Sequence, residues 1–280
     1  MTRRLNFLML VMLVLVGLPY YWFLIQNPSR HVKPYPLTMA ELRNLADTIP
    51  GPRPEGIVAR NLGSRSLPGN VYAAGSGLKP LPFAILSFTL PVPGAKPVVI
   101  DTGATTLAAK RAGIRRFSTS SQAQLENDLT TAGLILTTSQ GSLHNGSPRP
   151  LATEIRPAAL TPYPVAPGIV VIPAGTPTPG SNLIYVRLGN GHEYIFAGDV
   201  APLGPNFEEL RVPSNLIDRN VPRSERSRTM RWLVTLNGLR EDAPDLLVVP
   251  GHGLGWLTSL REKNVIGAED LTLIDADALR

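Results

Sequence analysis

Ile135-Leu136-Thr137-Thr138-Ser139-Gln140-Gly141-Ser142-Leu143-His144-Asn145-Gly146-Ser147 is the stretch on which the reading of this chain turns. Its first two residues close a segment, 128–136, that reads as a helix end running into a short apolar strand. The remainder is a loop of small and polar residues carrying one imidazole, His144. A strand that stops in such a loop presents its polar side chains at a sheet edge, where binding and catalytic groups are commonly placed.

The same arrangement recurs along the chain. Val98-Val99-Ile100 runs into Asp101-Thr102-Gly103, Phe196-Ala197 into Gly198-Asp199, and Val248-Val249 into Pro250-Gly251-His252-Gly253. Further strands are expected over Phe83 to Leu90, Pro97 to Ile100, Gly168 to Ile172 and Leu246 to Val249. Asn182 to Leu188 and His192 to Ala197 form a hairpin about Gly189-Asn190-Gly191. Apolar stripes predict helices around Thr38 to Thr48 and Ser224 to Leu239. Strands interleaved with helices, with polar residues at the strand ends, predict an α/β sandwich.

These strand-end motifs resemble the metallo-β-lactamase superfamily, and they occur in its order over residues 83–256. Asp101-Thr102-Gly103 is similar to the family's early D-T-G. The 135–147 stretch is similar to its I-L-x-T-H-x-H-x-D-H-x-G loop, and Thr176-Pro177-Thr178-Pro179-Gly180-Ser181 to G-H-T-P-G-S. Gly198-Asp199 and Pro250-Gly251-His252-Gly253 match the last two signposts. The resemblance implies an αββα sandwich of the metallo-β-lactamase type and descent from metal-dependent hydrolases of esters, lactones, amides or phosphoesters.

It also implies which ligands are missing. The positions of the first metal site carry Ser139, Gly141 and Pro177, of which Gly and Pro have no ligating side chain and Ser is a poor zinc ligand. The second site loses one carboxylate, replaced by Leu143, and keeps His144, Asp199 and His252. Two imidazoles and a carboxylate are a minimal set for one catalytic zinc, and the same set suits iron or manganese. The resemblance assigns Asp199 to the reaction centre and Asp101 to an orienting role behind a ligand. The competing expectation is a pseudoenzyme that holds no metal and binds a ligand or protein partner in the old cleft.

Two other chemistries are readable. Asp101-Thr102-Gly103-Ala104 is similar to the D-T-G-[AST] of aspartic proteases, which would need a dimer to supply a second carboxylate and a more uniformly β chain. Ser139 and Ser142 lie near His144, but no G-x-S-x-G elbow surrounds them.

The ends bound the setting. Arg3 and Arg4 precede an almost unbroken apolar run from Leu5 to Ile25, long enough to cross a bilayer. The charges predict a cytoplasmic N-terminus with the remainder periplasmic or extracellular, and Tyr20, Tyr21 and Trp22 form an interfacial belt. Residues 1–26 are therefore expected to be a transmembrane signal anchor in the cytoplasmic membrane, a cleaved signal peptide being the alternative. Residues 27–80 read as a Pro/Gly-rich stalk and 81–280 as the domain. The chain has 28 prolines and no cysteine, which excludes disulfides and thiolate ligands. Net charge is +6, with a basic run at Arg219, Arg223, Arg226, Arg228 and Arg231 that reads as a solvated helix face. A small-molecule substrate of unspecified class and no nucleic-acid partner are expected.

Overall fold

The computed structural model describes residues 3–114, 116–146, 161–178, 180–217, 221–263 and 271–275; Ser147, Pro179 and Arg219 of the motifs above lie outside them. Among the described residues, ten strands form two sheets. The first has the order β10-β1-β2-β3-β4, from Leu271–Asp275, Ile57–Pro68, Pro80–Leu90, Val98–Ile100 and Leu134–Leu136. The second runs β5-β6-β7-β8-β9, from Tyr163–Ala166, Ile169–Pro173, Asn182–Arg187, Glu193–Phe196 and Leu247–Val249.

Alternation along the strands builds three apolar layers. Along β2, Ala84, Leu86, Phe88 and Leu90 point inward and meet Val171, Ile184, Val186 and Phe196 of the second sheet. Phe83 and Ile85 face outward, where they join Val99 beneath α3 (Thr106–Arg111) and α4 (Thr119–Thr131), which contribute Ala109, Leu125 and Leu129. On the other outer face, Val170, Ile172, Leu183, Tyr185, Ile195 and Val248 pack under α2 (Met39–Ala46) and α5 (Arg223–Asp242). Strands apolar on both faces need cover on both, so the layers are helix, sheet, sheet, helix. Side-chain oxygens of Thr38, Thr105 and Ser118 start α2, α3 and α4 by accepting from backbone N–H groups one turn on.

The segment expected to be a stalk is different. Ile57–Pro68 is a full strand paired with β2 from Val58↔Thr89 to Pro68↔Pro80, and Met39, Leu42 and Ala46 are buried in the core. The sheet begins at 57 rather than at 81. The reason is the composition of β1: polar side chains such as Arg60 and Asn61 are buried in it, so no apolar run marks the strand. The Arg60 guanidinium donates to Gln124 Oε1 at 2.9 Å and to Asp128 Oδ2 at 2.8 Å.

The N-terminal helix α1, Arg3–Ile25, is 23 residues long, with a mean hydropathy of 2.3 in its most apolar window and no buried residue there. It is the one helix among the described residues long and apolar enough to cross a membrane. The basic run does more than face water. Arg226 is buried and donates to Gln26 O, Arg231 donates to Lys33 O while lying over the Tyr35 ring, and Arg223 lies over Trp22. These arginines clasp residues 22–35 onto the domain.

Candidate metal centre

Four strand ends converge on one edge of the sandwich. Asp101 follows β3, the 137–146 loop follows β4, Asp199 follows β8 and His252 follows β9. The parallel pairs β3–β4 and β8–β9 bring Ile100 level with Leu136 and Phe196 level with Val249. Close backbone approaches complete the edge. A Cβ on Gly251 would lie 2.6 Å from Gly198 O, so only glycine lets these two loops meet.

His144, Asp199 and His252 come together. His144 Nε2 lies 3.1 Å from Asp199 Oδ1 and 3.1 Å from His252 Nε2; His252 Nε2 lies 3.4 Å from the same Asp199 oxygen. Both rings are buried, whereas the Asp199 side chain is 26% exposed and opens the group to solvent.

The outer nitrogens decide the chemistry. His144 Nδ1 donates to Asp101 Oδ2 at 2.8 Å, and His252 Nδ1 donates to Ala84 O at 2.8 Å. A carboxylate and a carbonyl can only accept, so each neutral ring carries its proton on Nδ1. Both Nε2 atoms then present lone pairs to each other and to a carboxylate. Three acceptors at such spacing repel one another unless a cation stands between them.

The spacing suits a metal. Donors about 2.0–2.2 Å from a tetrahedral zinc are about 3.3–3.6 Å apart, and 3.1 to 3.4 Å is observed. Committed outer nitrogens are also what ligating histidines show. The donor set therefore fits one metal with three protein ligands and an open position. A proton is the other cation that fits. Burial opposes charge on His144, but Asp199 and Asp101 on either side outweigh it and hold the imidazole well above its ordinary value. Burial likewise opposes charge on Asp199, and His144 and His252 outweigh it, holding the carboxyl well below the usual range. Burial and the neighbouring His144 charge push His252 down.

Asp101 sits behind the His144 ring, on the side away from Asp199 and His252. It is 1% exposed, and besides His144 it accepts from Thr138 N at 2.7 Å and from Thr138 Oγ1. With its carboxylate so enclosed, it cannot meet the second aspartate that a protease dyad needs. That reading is overturned by the enclosure and by the mixed α/β fold.

The four positions expected to lack ligands make other contacts. Ser139 Oγ accepts from Gly141 N at 3.0 Å and shapes the loop, so it is not placed as a nucleophile. Leu143 packs into the apolar layer under α3 and α4 instead of facing the donors. Gly141 stays beside the group: a Cβ there would lie 3.4 Å from Asp199 Oδ2 and 3.8 Å from His144 Cδ2. Pro177 lies on the 174–182 turn, which is tied to the 137–140 loop by Asn182 N donating to Thr138 O at 2.8 Å. Three contributors were not assigned a role from sequence. Thr138, within the quoted stretch, holds Asp101. Ala84 acts through its carbonyl, which no side-chain pattern reveals. Phe83 stacks on His252 with centroids 3.9 Å apart.

No protein-family model matches the chain, and no curated protein does. Solved structures do. A quorum-quenching N-acyl homoserine lactone lactonase is similar over 75% of this chain and 96% of its own, with a TM-score of 0.58 at 13% identity. An N-acyl homoserine lactone hydrolase with its product N-hexanoyl-L-homoserine bound at the catalytic metal centre gives 0.55 at 12%, covering 75% and 97%. A probable metal-dependent hydrolase from Staphylococcus aureus gives 0.51 at 10%, covering 72% and 90%. Likeness at such identity establishes a shared architecture.

Proposed function

On the metallo-β-lactamase fold that this chain shares with those lactone hydrolases, we propose a mononuclear metal-dependent hydrolase of carboxylic esters or lactones, with amides and phosphoesters as the wider class. The observation that carries this reading is the convergence of three bare donors, His144 Nε2, His252 Nε2 and Asp199 Oδ1, within 3.4 Å of one another. A divalent metal held there supplies Lewis acidity toward the substrate oxygen and acidifies water. Zinc, iron and manganese all suit two imidazoles and a carboxylate. Asp101 and the Ala84 carbonyl fix the two rings. Asp199, the solvent-reaching member, has a second oxygen toward Gly141 that can accept the proton of an attacking water.

The same reading makes α1 a signal anchor. Arg3 and Arg4 at one end and Tyr20, Tyr21 and Trp22 at the other orient the domain away from the cytoplasm, in the periplasm or outside the cell. Single cysteines introduced into this cysteine-free chain test it: a membrane-impermeant maleimide should reach the domain in cells with a permeable outer layer and an intact inner membrane.

The deciding experiment is metal analysis of the full chain in detergent after loading with zinc, iron(II) or manganese. About one ion per chain is expected, lost in His252→Ala, with ester hydrolysis abolished by chelator. A second reading, a pseudoenzyme binding a ligand or partner beside this group, is favoured by one observation: His144 stands between two carboxylates, Asp101 at 2.8 Å and Asp199 at 3.1 Å, which favour its protonated form. Absence of bound metal at neutral pH after loading would leave that reading standing and sink the first.

A further inference from the structure

The end of α1 is built into the domain at the same edge as the donor group. Domain groups satisfy the carbonyls that the helix end leaves free: Asn215 Nδ2 donates to Trp22 O at 2.7 Å, Leu216 N to Phe23 O at 3.1 Å and Gly75 N to Leu24 O at 2.9 Å. Asn70 Nδ2 reaches the Tyr20 hydroxyl at 3.2 Å. The 70–75 and 215–216 segments therefore lie at the depth where the helix leaves the bilayer. From there to the candidate centre is a short path. Tyr72 stacks on Phe83 at 4.3 Å, and Phe83 stacks on His252 at 3.9 Å.

A second observation is independent of the helix contacts. Among the described residues outside α1, the large apolar side chains that stand exposed are Leu78 at 64%, Leu107 at 56% and Ile217 at 43%. Each adjoins, in the chain, a segment at the helix end or at the donor group. Leu78 is in the β1–β2 connection, whose Gly77 O accepts from Asn70 N. Leu107 is on α3, just after Asp101. Ile217 adjoins Leu216, which bonds the helix. Exposed bases stand near each: Lys79 beside Leu78, Lys110 and Arg111 on α3, and Arg223, over Trp22, beyond Ile217. Apolar tips with flanking bases are the pattern of a surface that rests in a headgroup layer.

We propose that the edge bearing His144, Asp199 and His252 lies on the membrane that α1 spans, and that the substrate is a bilayer-resident amphiphile whose ester stands at headgroup depth. This rests on the hydrolase and anchor readings above. Water adds to the acyl carbon, the acyl C–O bond breaks, the alcohol leaves with one of the water's protons, and the acid leaves as carboxylate while the other proton passes to solvent. The alkyl chain stays in the leaflet, so only the polar part needs to reach the partly exposed Asp199.

The full chain in nanodiscs of phosphatidylcholine and phosphatidylglycerol, loaded with zinc, tests both halves. Single-cysteine variants Leu78→Cys, Leu107→Cys and Ile217→Cys, carrying an environment-sensitive fluorophore, should be quenched by nitroxides on the lipid chains. Ala95→Cys, in the exposed β2–β3 turn at the far edge, should not. Equal lack of quenching at all four positions, with α1 inserted, would overturn the surface and leave the anchor standing. In the same discs, 4-methylumbelliferyl palmitate should be turned over at least about tenfold more efficiently than the butyrate, and the triple Leu78→Gln, Leu107→Gln, Ile217→Gln variant should lose that preference while its butyrate rate stays within about twofold. Hydrolysis of the butyrate alone would overturn the substrate class and keep the hydrolase. Hydrolysis of neither ester would remove both.

Discussion

Asp101 Oδ2 stands 2.8 Å from His144 Nδ1 because Asp101 holds a left-handed backbone, φ 62°, at the end of β3. Such a conformation is costly for most residues other than glycine, asparagine and aspartate. The strain turns the carboxylate back under the 137–146 loop, where Thr138 and His144 both donate to it. Asp101→Asn keeps a residue that tolerates this backbone and removes the charge. Metal affinity should fall by about 10–100-fold with little change in fold, read by competition with a chromophoric chelator. An unchanged affinity would show that Asp101 does not orient the ligand.

Gly198 is set by the same loop. It has φ +49°, and a Cβ there would lie 2.5 Å from Thr138 Cβ. Gly198→Ala should cost on the order of 1–3 kcal/mol in thermal or denaturant unfolding. It should also release metal, because Asp199 is the next residue. Wild-type stability in this variant would contradict the packing described.

The positions expected to lack ligands should not respond alike to a ligating side chain. Gly141→His projects a side chain beside Asp199 from an unstrained backbone and should be tolerated, with tighter metal binding by isothermal titration. Leu143→Asp places a carboxylate in the apolar layer under α3 and α4 and should destabilise by about 1–3 kcal/mol without improving metal binding. The opposite ranking would mean that the loop is turned the other way.

Away from the centre, Glu193 ties α2 to the second sheet. Arg43 Nε donates to its Oε1 at 2.8 Å, and the Tyr185 hydroxyl donates to the same oxygen. Burial favours the neutral acid, but these donors outweigh it and hold the carboxyl below its ordinary 4.5. A lowered folded-state value gives stability that is present above the unfolded value and lost as pH falls through the folded one. Glu193→Gln should therefore be less stable than wild type at neutral pH. The gap should close as pH falls below the ordinary carboxyl range and through the lowered value, measured by denaturant midpoints across pH. A gap constant down to the acid limit would exclude the ionised pair as its source.

Much of the sandwich was legible because its strands are apolar on both faces and end in turn residues. The expected 182–188 segment runs one residue past the end of β7, and 192–197 runs one residue past each end of β8; the helix expected at 224–239 lies inside α5. β1 was not legible, since Arg60 and Asn61 become buriable only when α4 and the chain's own turns supply partners. β10 was not legible either: it pairs in parallel with β1 from more than two hundred residues away in the chain. At the candidate centre, sequence alone marked His144, Asp199, His252 and Asp101 as polar residues at strand ends, and it marked Ser139, Gly141, Leu143 and Pro177 as unsuited to ligation.

Residue types by themselves determined which donors exist and that a bilayer-length apolar helix precedes the domain. Only the tertiary structure decided what those donors do. Which nitrogen of His144 and His252 faces inward depends on Asp101 and the Ala84 carbonyl, and those partners arrive from other strands. That the helix end and the donor group share one edge depends on how β1, β2 and the 215–216 segment pack. Short-range pattern fixes chemistry residue by residue; direction and proximity come from long-range contacts, which no local spacing records.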